Sequence, residues 1–514
     1  VKARVAVTTV SLIMLAGCTG STPAVRQTTA GATKPQDPPP ARQVYARKGT
    51  CDSGGSDVPF RVEIVGVERQ AEHTRLRLAI SLDGAEKHHD MAFFGQSDFR
   101  GFRLLDPVGR RLYRAKSSHQ LDQFGWYYKD IRYETEIYYD PLPASAGQIT
   151  VIAPCTFGEM TGIPVAQGEL TQSPTPLPTT SWGDDKPGTK VVLGADPPAP
   201  GARPNYSDLY AVEDGAQEKS TGTDEESIAL RADVLFAFDK ADLSAKARQV
   251  LDDVAEETRR RADPSKPPVT IAGHTDSKGD DPYNLRLSLR RAQTVRSYLS
   301  RRLGTDYQYK AEGKGETQPV AEEGGSNDKQ ASAKNRRVEV SYKIKQVVEA
   351  TGAPSPGATA APLPGTPAPF QEGLGRPVAE RKNEDGWLLR VHQPYRDGAF
   401  MVGVYEIVNE TGGWEHNITP RIDGEQPGSM WGGLTWLDPA SGRRQRIVRV
   451  GKYGTGEDGY TYVAAPEITG KWGFGWAEHV PYRIYAYYAP PPPGVTALTL
   501  DAGPYGTFPD VPVK

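Results

Sequence analysis

His274 and Asp276 stand two residues apart at the end of an alternating stretch, so they share one strand face and could together hold a metal. No third ligand accompanies them at metal-ligand spacing, so neither a metal nor any other cofactor is expected. Covalent chemistry has no foothold either: there is no Gly-x-Ser-x-Gly elbow, no His-Glu-x-x-His helix and no phosphate-cradling loop. Arg286, Arg290, Arg291, Arg296, Arg301 and Arg302 make one stretch look basic. Yet residues 224–346 hold 23 Lys and Arg against 21 Asp and Glu, and the whole chain carries a net charge of −3. Phosphate neutralisation needs a basic excess, so nucleic acid is not an expected partner. What the charged residues can do is recognise a small charged ligand. The expected protein is a binder and not an enzyme.

The elements that position these residues follow from hydrophobic period and punctuation. The 514 residues include 54 Gly and 44 Pro, and these cluster. Pro-rich stretches within 18–45, 170–221 and 347–375 cannot bury enough apolar surface to order themselves and read as a tether and two linkers. They leave folded parts at 46–169, 222–346 and 376–514. In the middle part, strands at 228–235, 269–272, 307–311 and 338–344 alternate with two helices. Ser244 is placed to cap the first, with Val250, Leu251 and Val254 on one face. Asn284 or Ser288 opens the second, carrying Leu289, Ala292, Val295, Leu299 and Leu303 at helical spacing. Two helices on one face of a small mixed sheet result, an α/β (α+β) domain.

The outer parts read as copies of each other. Leu104-Leu105-Asp106-Pro107 with Arg110-Arg111 matches Trp436-Leu437-Asp438-Pro439 with Arg443-Arg444, and three further landmarks recur in the same order. Period-2 alternation makes both all-β and sandwich-like. The expected architecture is therefore multidomain, a central α/β domain flanked by two homologous β-sandwiches. Six of the eight tryptophans fall in the last part: Trp387, Trp414, Trp431, Trp436, Trp472 and Trp476. They are read as core or as a surface for a glycan or protein, with Trp472–Trp476 the candidate exposed loop.

At the start, Lys2 and Arg4 precede a short apolar run at 5–15, and Leu15-Ala16-Gly17-Cys18 resembles the lipobox of bacterial lipoproteins. The resemblance implies a signal peptide at 1–17, removed before Cys18, and acylation of Cys18, palmitate included, which anchors the chain to a membrane. Export implies an oxidising compartment, where the two remaining cysteines, Cys51 and Cys155, can pair as a structural disulfide. No apolar run is long enough for an internal membrane-spanning helix.

Residues 222–346 resemble the peptidoglycan-binding domain of the OmpA family. The matching strings are Val234-Leu235-Phe236-Ala237-Phe238-Asp239, then Gly273-His274-Thr275-Asp276 with Gly279. Tyr283-Asn284 followed by Leu287-Ser288-Leu289-Arg290-Arg291-Ala292 comes next, then Gly313-Lys314-Gly315-Glu316 and Asn335-Arg336-Arg337-Val338. The resemblance implies binding of a diaminopimelate-type stem peptide, whose zwitterionic end needs one acid and one fork-shaped cation. Asp276 is the acid for the ammonium. By family alignment Arg291, expected on a helix surface, is the cation for the carboxylate. Asp239, Thr275, Asn284 and Arg337 complete the expected site, with either Arg336 or Arg337 facing the ligand. The implied location is the cell envelope: the outer membrane where there is one, otherwise the outer face of the cytoplasmic membrane. In the alternative reading, the β-sandwiches bind an envelope protein or glycan as a scaffold or adhesin, and the central domain only localises them.

Overall fold

Short alternating runs broken by Asp-Pro, Asp-Gly and Gly-rich turns give a chain made mostly of strands, with the α-helices among the described residues confined to its middle. The computed structural model describes residues 43–514 apart from several stretches, the longest being 90–100, 119–125, 168–189, 345–364, 414–432, 452–461 and 465–475. Cys18, the leader and the tether lie outside the described residues, as do Trp414, Trp431, Trp472 and much of the two Pro-rich linkers.

The first part contains β1 (Tyr45–Ser53), β2 (Ser56–Arg69), β3 (Thr74–Leu82), β4 (Lys87–His89), β5 (Arg103–Asp106), β6 (Arg111–Arg114), β7 (Ser117–Ser118), β8 (Trp126–Tyr128), β9 (Arg132–Tyr139), β10 (Gln148–Ala153) and β11 (Gly158–Gln167). Antiparallel pairing gives one layer ordered β1-β2-β3-β9 and a second ordered β6-β5-β10-β11. The end of β11 also runs parallel to β2, joining the layers. Phe60, Val62, Leu76, Leu78, Leu104 and Ile149 fill the space between them. Cys51 and Cys155 form a disulfide with Cα atoms 5.1 Å apart, tying β1 to the turn between β10 and β11.

The middle follows as β12 (Lys190–Leu193), β13 (Tyr206–Asp214), β14 (Glu218–Thr221), β15 (Glu225–Arg231), α1 (Ala232–Leu235), α2 (Ala245–Arg261), β16 (Val269–His274), α3 (Asp281–Leu303), β17 (Tyr309–Gly315), α4 (Asp328–Asn335) and β18 (Arg337–Lys343). Its sheet runs β14-β15-β18-β16-β17, antiparallel except for the β16–β17 pair. The Ser244 hydroxyl accepts from the Ala247 amide and caps α2. Leu251 and Val254 of α2 and Val295 and Leu299 of α3 pack on Ile228, Ile271, Val338 and Val340.

The last part holds β19 (Ala379–Lys382), β20 (Trp387–Val391), β21 (Tyr395–Asp397), β22 (Phe400–Asn409), β23 (Leu434–Leu437), β24 (Arg444–Val450), β25 (Pro481–Tyr488), β26 (Ala497–Ala502) and β27 (Thr507–Pro512). Its layers are ordered β19-β20-β22-β25 and β24-β23-β26-β27. Position for position this is the pairing order of the first part. Trp387, Trp436 and Trp476 are buried in its core.

Two segments expected as linkers carry structure. β12 adds in parallel to β9. β13 pairs with β6 through Tyr206–Asp208, with β24 through Leu209–Asp214 and with β14 on its other edge. Leu209 and Ala211 of β13 alternate into an apolar cluster with Leu105, Leu112 and Ile152 of the first part and Phe400, Val404, Val448 and Tyr485 of the last. Prolines stop near Pro204, and past them this alternation repays ordering. Likewise Phe370 rests edge-on against Tyr45 at 5.6 Å, and the Pro369 carbonyl accepts from Thr161. The three parts thus meet in shared sheet, and the first and last also in a shared core.

Asp397 is fully buried at this junction. It accepts from the Thr150 hydroxyl at 2.8 Å, the Tyr487 hydroxyl at 3.0 Å and the Ala368 amide at 2.9 Å. Burial pushes its carboxyl up to about 6, against the opposing pull of those hydrogen bonds. A carboxyl raised in the folded state stabilises fully below its unfolded value, and that contribution is lost as pH rises through 6. Asp397→Asn is expected to flatten the loss of stability between about pH 4 and 6, worth about 2–3 kcal/mol by linkage. Urea denaturation across that pH range, wild type beside variant, checks it.

Candidate functional site

The site forms where the end of β16, the start of α3 and the segment before β18 converge. Two glycines permit it. A Cβ on Gly273 would lie 2.1 Å from the Ser288 carbonyl, and one on Gly313 would lie 2.7 Å from that of Leu285, so α3 sits directly on β16 and β17. The Ser288 hydroxyl accepts from the Gly315 amide at 3.0 Å and fixes that approach. Asp276 follows β16 and is buried, its Oδ2 accepting from Arg336 Nη1 at 2.7 Å.

Arg291 was expected on a helix surface, yet it is only 6% exposed. The helix rolls it inward over the turn that follows α1. Its Nε donates to the Lys240 carbonyl at 3.0 Å, and its guanidinium lies over the Phe236 ring at 5.4 Å. Its two terminal nitrogens have no hydrogen-bond partner among the described residues. Burial pushes its pKa down; Asp239 and Asp276 oppose this, while Arg336 and Arg290 reinforce it. Asp239, Asp276, Arg291 and Arg336 therefore lie within electrostatic reach of one another. Asp239 adopts a left-handed backbone, φ +57°, and its carboxylate accepts from the Tyr283 hydroxyl.

The other expected site residues are placed as follows. Thr275 is buried beside Asp276, with its amide donating to the Gly315 carbonyl at 2.9 Å and its hydroxyl unpartnered among the described residues. Asn284 does not open α3. The helix starts at Asp281 with Asp280 as N-cap and Pro282 in its first turn, which suits proline's fixed φ. Within the helix, the buried Asn284 amide donates to Glu316 at 2.7 Å and to the Lys278 carbonyl at 3.2 Å, bracing the 276–280 loop. Arg337 opens β18. It is buried and donates to the Gln318 carbonyl at 3.2 Å, with Glu339 at 3.8 Å, and it is Arg336 that stands against Asp276. Arg337 and Glu339 are two apart on β18 and so share a face. That spacing was the available signal that Arg337 is paired and that Arg336, just outside the strand, faces the site. Tyr283 and Phe236 also support the site and were not singled out.

Residues 235–335 match the OmpA family. Outer membrane protein A of Bordetella avium is 36% identical over 113 residues, which are 22% of this chain and 55% of the relative. Outer membrane protein A of Escherichia coli O157:H7 is 40% identical over 127 residues, 23% of this chain and 36% of the relative. The chain thus spans about half the length, or less, of these curated relatives. Among solved structures, the cell wall anchor of the T6SS from Pseudomonas aeruginosa is similar at 30% identity and TM-score 0.22, covering 26% of this chain and 88% of that one. The peptidoglycan-associated lipoprotein from Burkholderia pseudomallei is similar at 29% identity and TM-score 0.18, covering 22% and 88%. The chain carries an OmpA family domain at 235–335, set in a strand-rich remainder.

Proposed function

We propose that this chain binds peptidoglycan without chemistry and tethers an envelope membrane to the cell wall. The observation that carries the reading is an Arg291 whose terminal nitrogens have no hydrogen-bond partner among the described residues, within electrostatic reach of Asp276. A planar fork takes a carboxylate through two parallel hydrogen bonds, and an acid nearby takes an ammonium. A residue bearing both groups on one carbon, as at the end of a diaminopimelate-type stem peptide, matches that pair. Arg336 holds Asp276 in place. Thr275 adds a buried hydroxyl without a partner among the described residues. The OmpA family match at 235–335 supports peptidoglycan as the class of partner.

In this reading, acyl chains on Cys18 hold one end and the pocket holds the other, so modest pocket affinity is raised by effective concentration. The two β-rich parts are a duplicated sandwich, supported by their identical strand order, and they are joined to the pocket-bearing part through β13. The test is co-sedimentation of the full chain with purified sacculi, with free diaminopimelate as competitor. Retention that the competitor reverses is the expected result. A chain left wholly in the supernatant overturns the reading and favours the β-rich parts as the working surface for a protein or glycan. Cys18→Ser is expected to abolish palmitate labelling and shift the chain from membrane to soluble fractions, read by fractionation of the expressing cells.

A further inference from the structure

Phe238 is 97% exposed, far beyond any other large apolar side chain among the described residues. A lone exposed apolar residue needs no explanation, but this one is held out by the site itself. The Lys240 amide donates to the Ala237 carbonyl at 3.0 Å, closing a four-residue turn with Phe238 at its tip. Arg291 grips that turn at the Lys240 carbonyl, and Tyr283 grips it at Asp239. Asp239 holds a positive φ that Gly or Asn would adopt more easily, so the turn keeps an acid there at some cost. Leu285, 50% exposed, adjoins Asn284 on α3, and Val320, 40% exposed, donates its amide to Asn335 beside Arg336. Three exposed apolar side chains thus stand on segments that border one charged pocket.

We propose that Phe238 is a specificity residue that packs on the small apolar residues flanking the zwitterion of a bound stem peptide. This rests on the reading above and extends it from one residue's charged end to the peptide that carries it. The charged pocket takes the end, and the Phe238 ring covers the peptide beside it. The full chain, wild type and Phe238→Ala, is titrated calorimetrically with free diaminopimelate and with a soluble stem peptide containing it. Phe238→Ala is expected to weaken the stem peptide roughly tenfold, the size of a partly buried aromatic contact, and to leave free diaminopimelate unchanged. Phe238→Tyr restores the peptide affinity. Unchanged affinity for both ligands, or an equal loss on both, overturns the proposal. So does a loss on peptide-free glycan strands, which would make the ring a sugar platform. A wild-type chain that binds neither the amino acid nor the peptide overturns the peptidoglycan reading itself, and this inference with it.

Discussion

Arg291→Lys is expected to lose wall binding on the order of a hundredfold while the folded domain persists. The two halves of that expectation come from different atoms of one side chain. Nε is spent on the Lys240 carbonyl and the guanidinium plane lies on Phe236, so part of the residue holds the 237–240 turn. The terminal nitrogens are the fork offered to a carboxylate. Lysine keeps the charge and much of the apolar stem but cannot make two parallel bonds. Losing one partner of a desolvated charged pair costs about 2–5 kcal/mol, which is roughly thirty- to several-thousand-fold in affinity. Arg291→Ala is a poorer test, because it also frees the turn and leaves a gap over Phe236. Asp276→Asn is the matching variant on the ammonium side. It is isosteric, removes the negative charge and leaves Arg336 without its ion pair, so binding should fall by a comparable factor. Co-sedimentation with sacculi at fixed salt, alongside a thermal melt of each variant, separates lost recognition from lost fold. Full retention of binding by Arg291→Lys would remove the fork from the site.

The central domain was legible because its signals are local. A helix with an N-capping serine, a helix with five apolar residues at helical spacing and strands between them can be read in windows of a dozen residues. The start of α3 was misplaced toward Asn284 because a polar residue at a helix start looks like a cap, while Pro282 marked the true first turn. β13 was hidden for a different reason. Its alternation is short, and it follows a Pro-rich stretch whose composition dominates any average taken across 170–221. The depth of Arg291 was not readable, since it depends on a turn fifty residues away folding over the helix. The junction between the β-rich parts was equally invisible: Asp397 meets Thr150, and Leu209 meets Phe400, across separations that no local pattern encodes.

That junction carries the second large effect. Glu159, at the start of β11, is buried and accepts from the Tyr395 hydroxyl at 2.9 Å and from Arg483 Nη2, both in the last part. Arg47, on β1, donates to the Phe157 carbonyl at 2.7 Å and to the Gln371 carbonyl at 2.6 Å. Burial, with Arg483 nearby, lowers the Arg47 pKa to about 10. Burial alone would raise the Glu159 carboxyl, but Arg483 and Arg47 outweigh it and hold it below the ordinary carboxylate range. Glu159 thus compensates two buried cations across the seam. Glu159→Ala leaves both uncompensated and is expected to destabilise the joined unit by roughly 3–5 kcal/mol, read as an earlier urea transition. Replacing the pair together, Glu159→Leu with Arg483→Met, should recover much of that loss, since a packed apolar pair avoids the desolvation that the ions must offset. The pH dependence has the opposite sign to that of Asp397. A carboxyl depressed in the folded state stabilises above its unfolded value near 4.5, and this is lost as pH falls through the lower folded value. Acid should therefore open the seam at Glu159 while relieving Asp397, and Glu159→Ala should remove the first effect and lessen the second, because Glu159 helps to raise the Asp397 carboxyl. A double-variant cycle that shows no coupling between Glu159 and Arg483 would mean that the apolar cluster alone holds the two β-rich parts together.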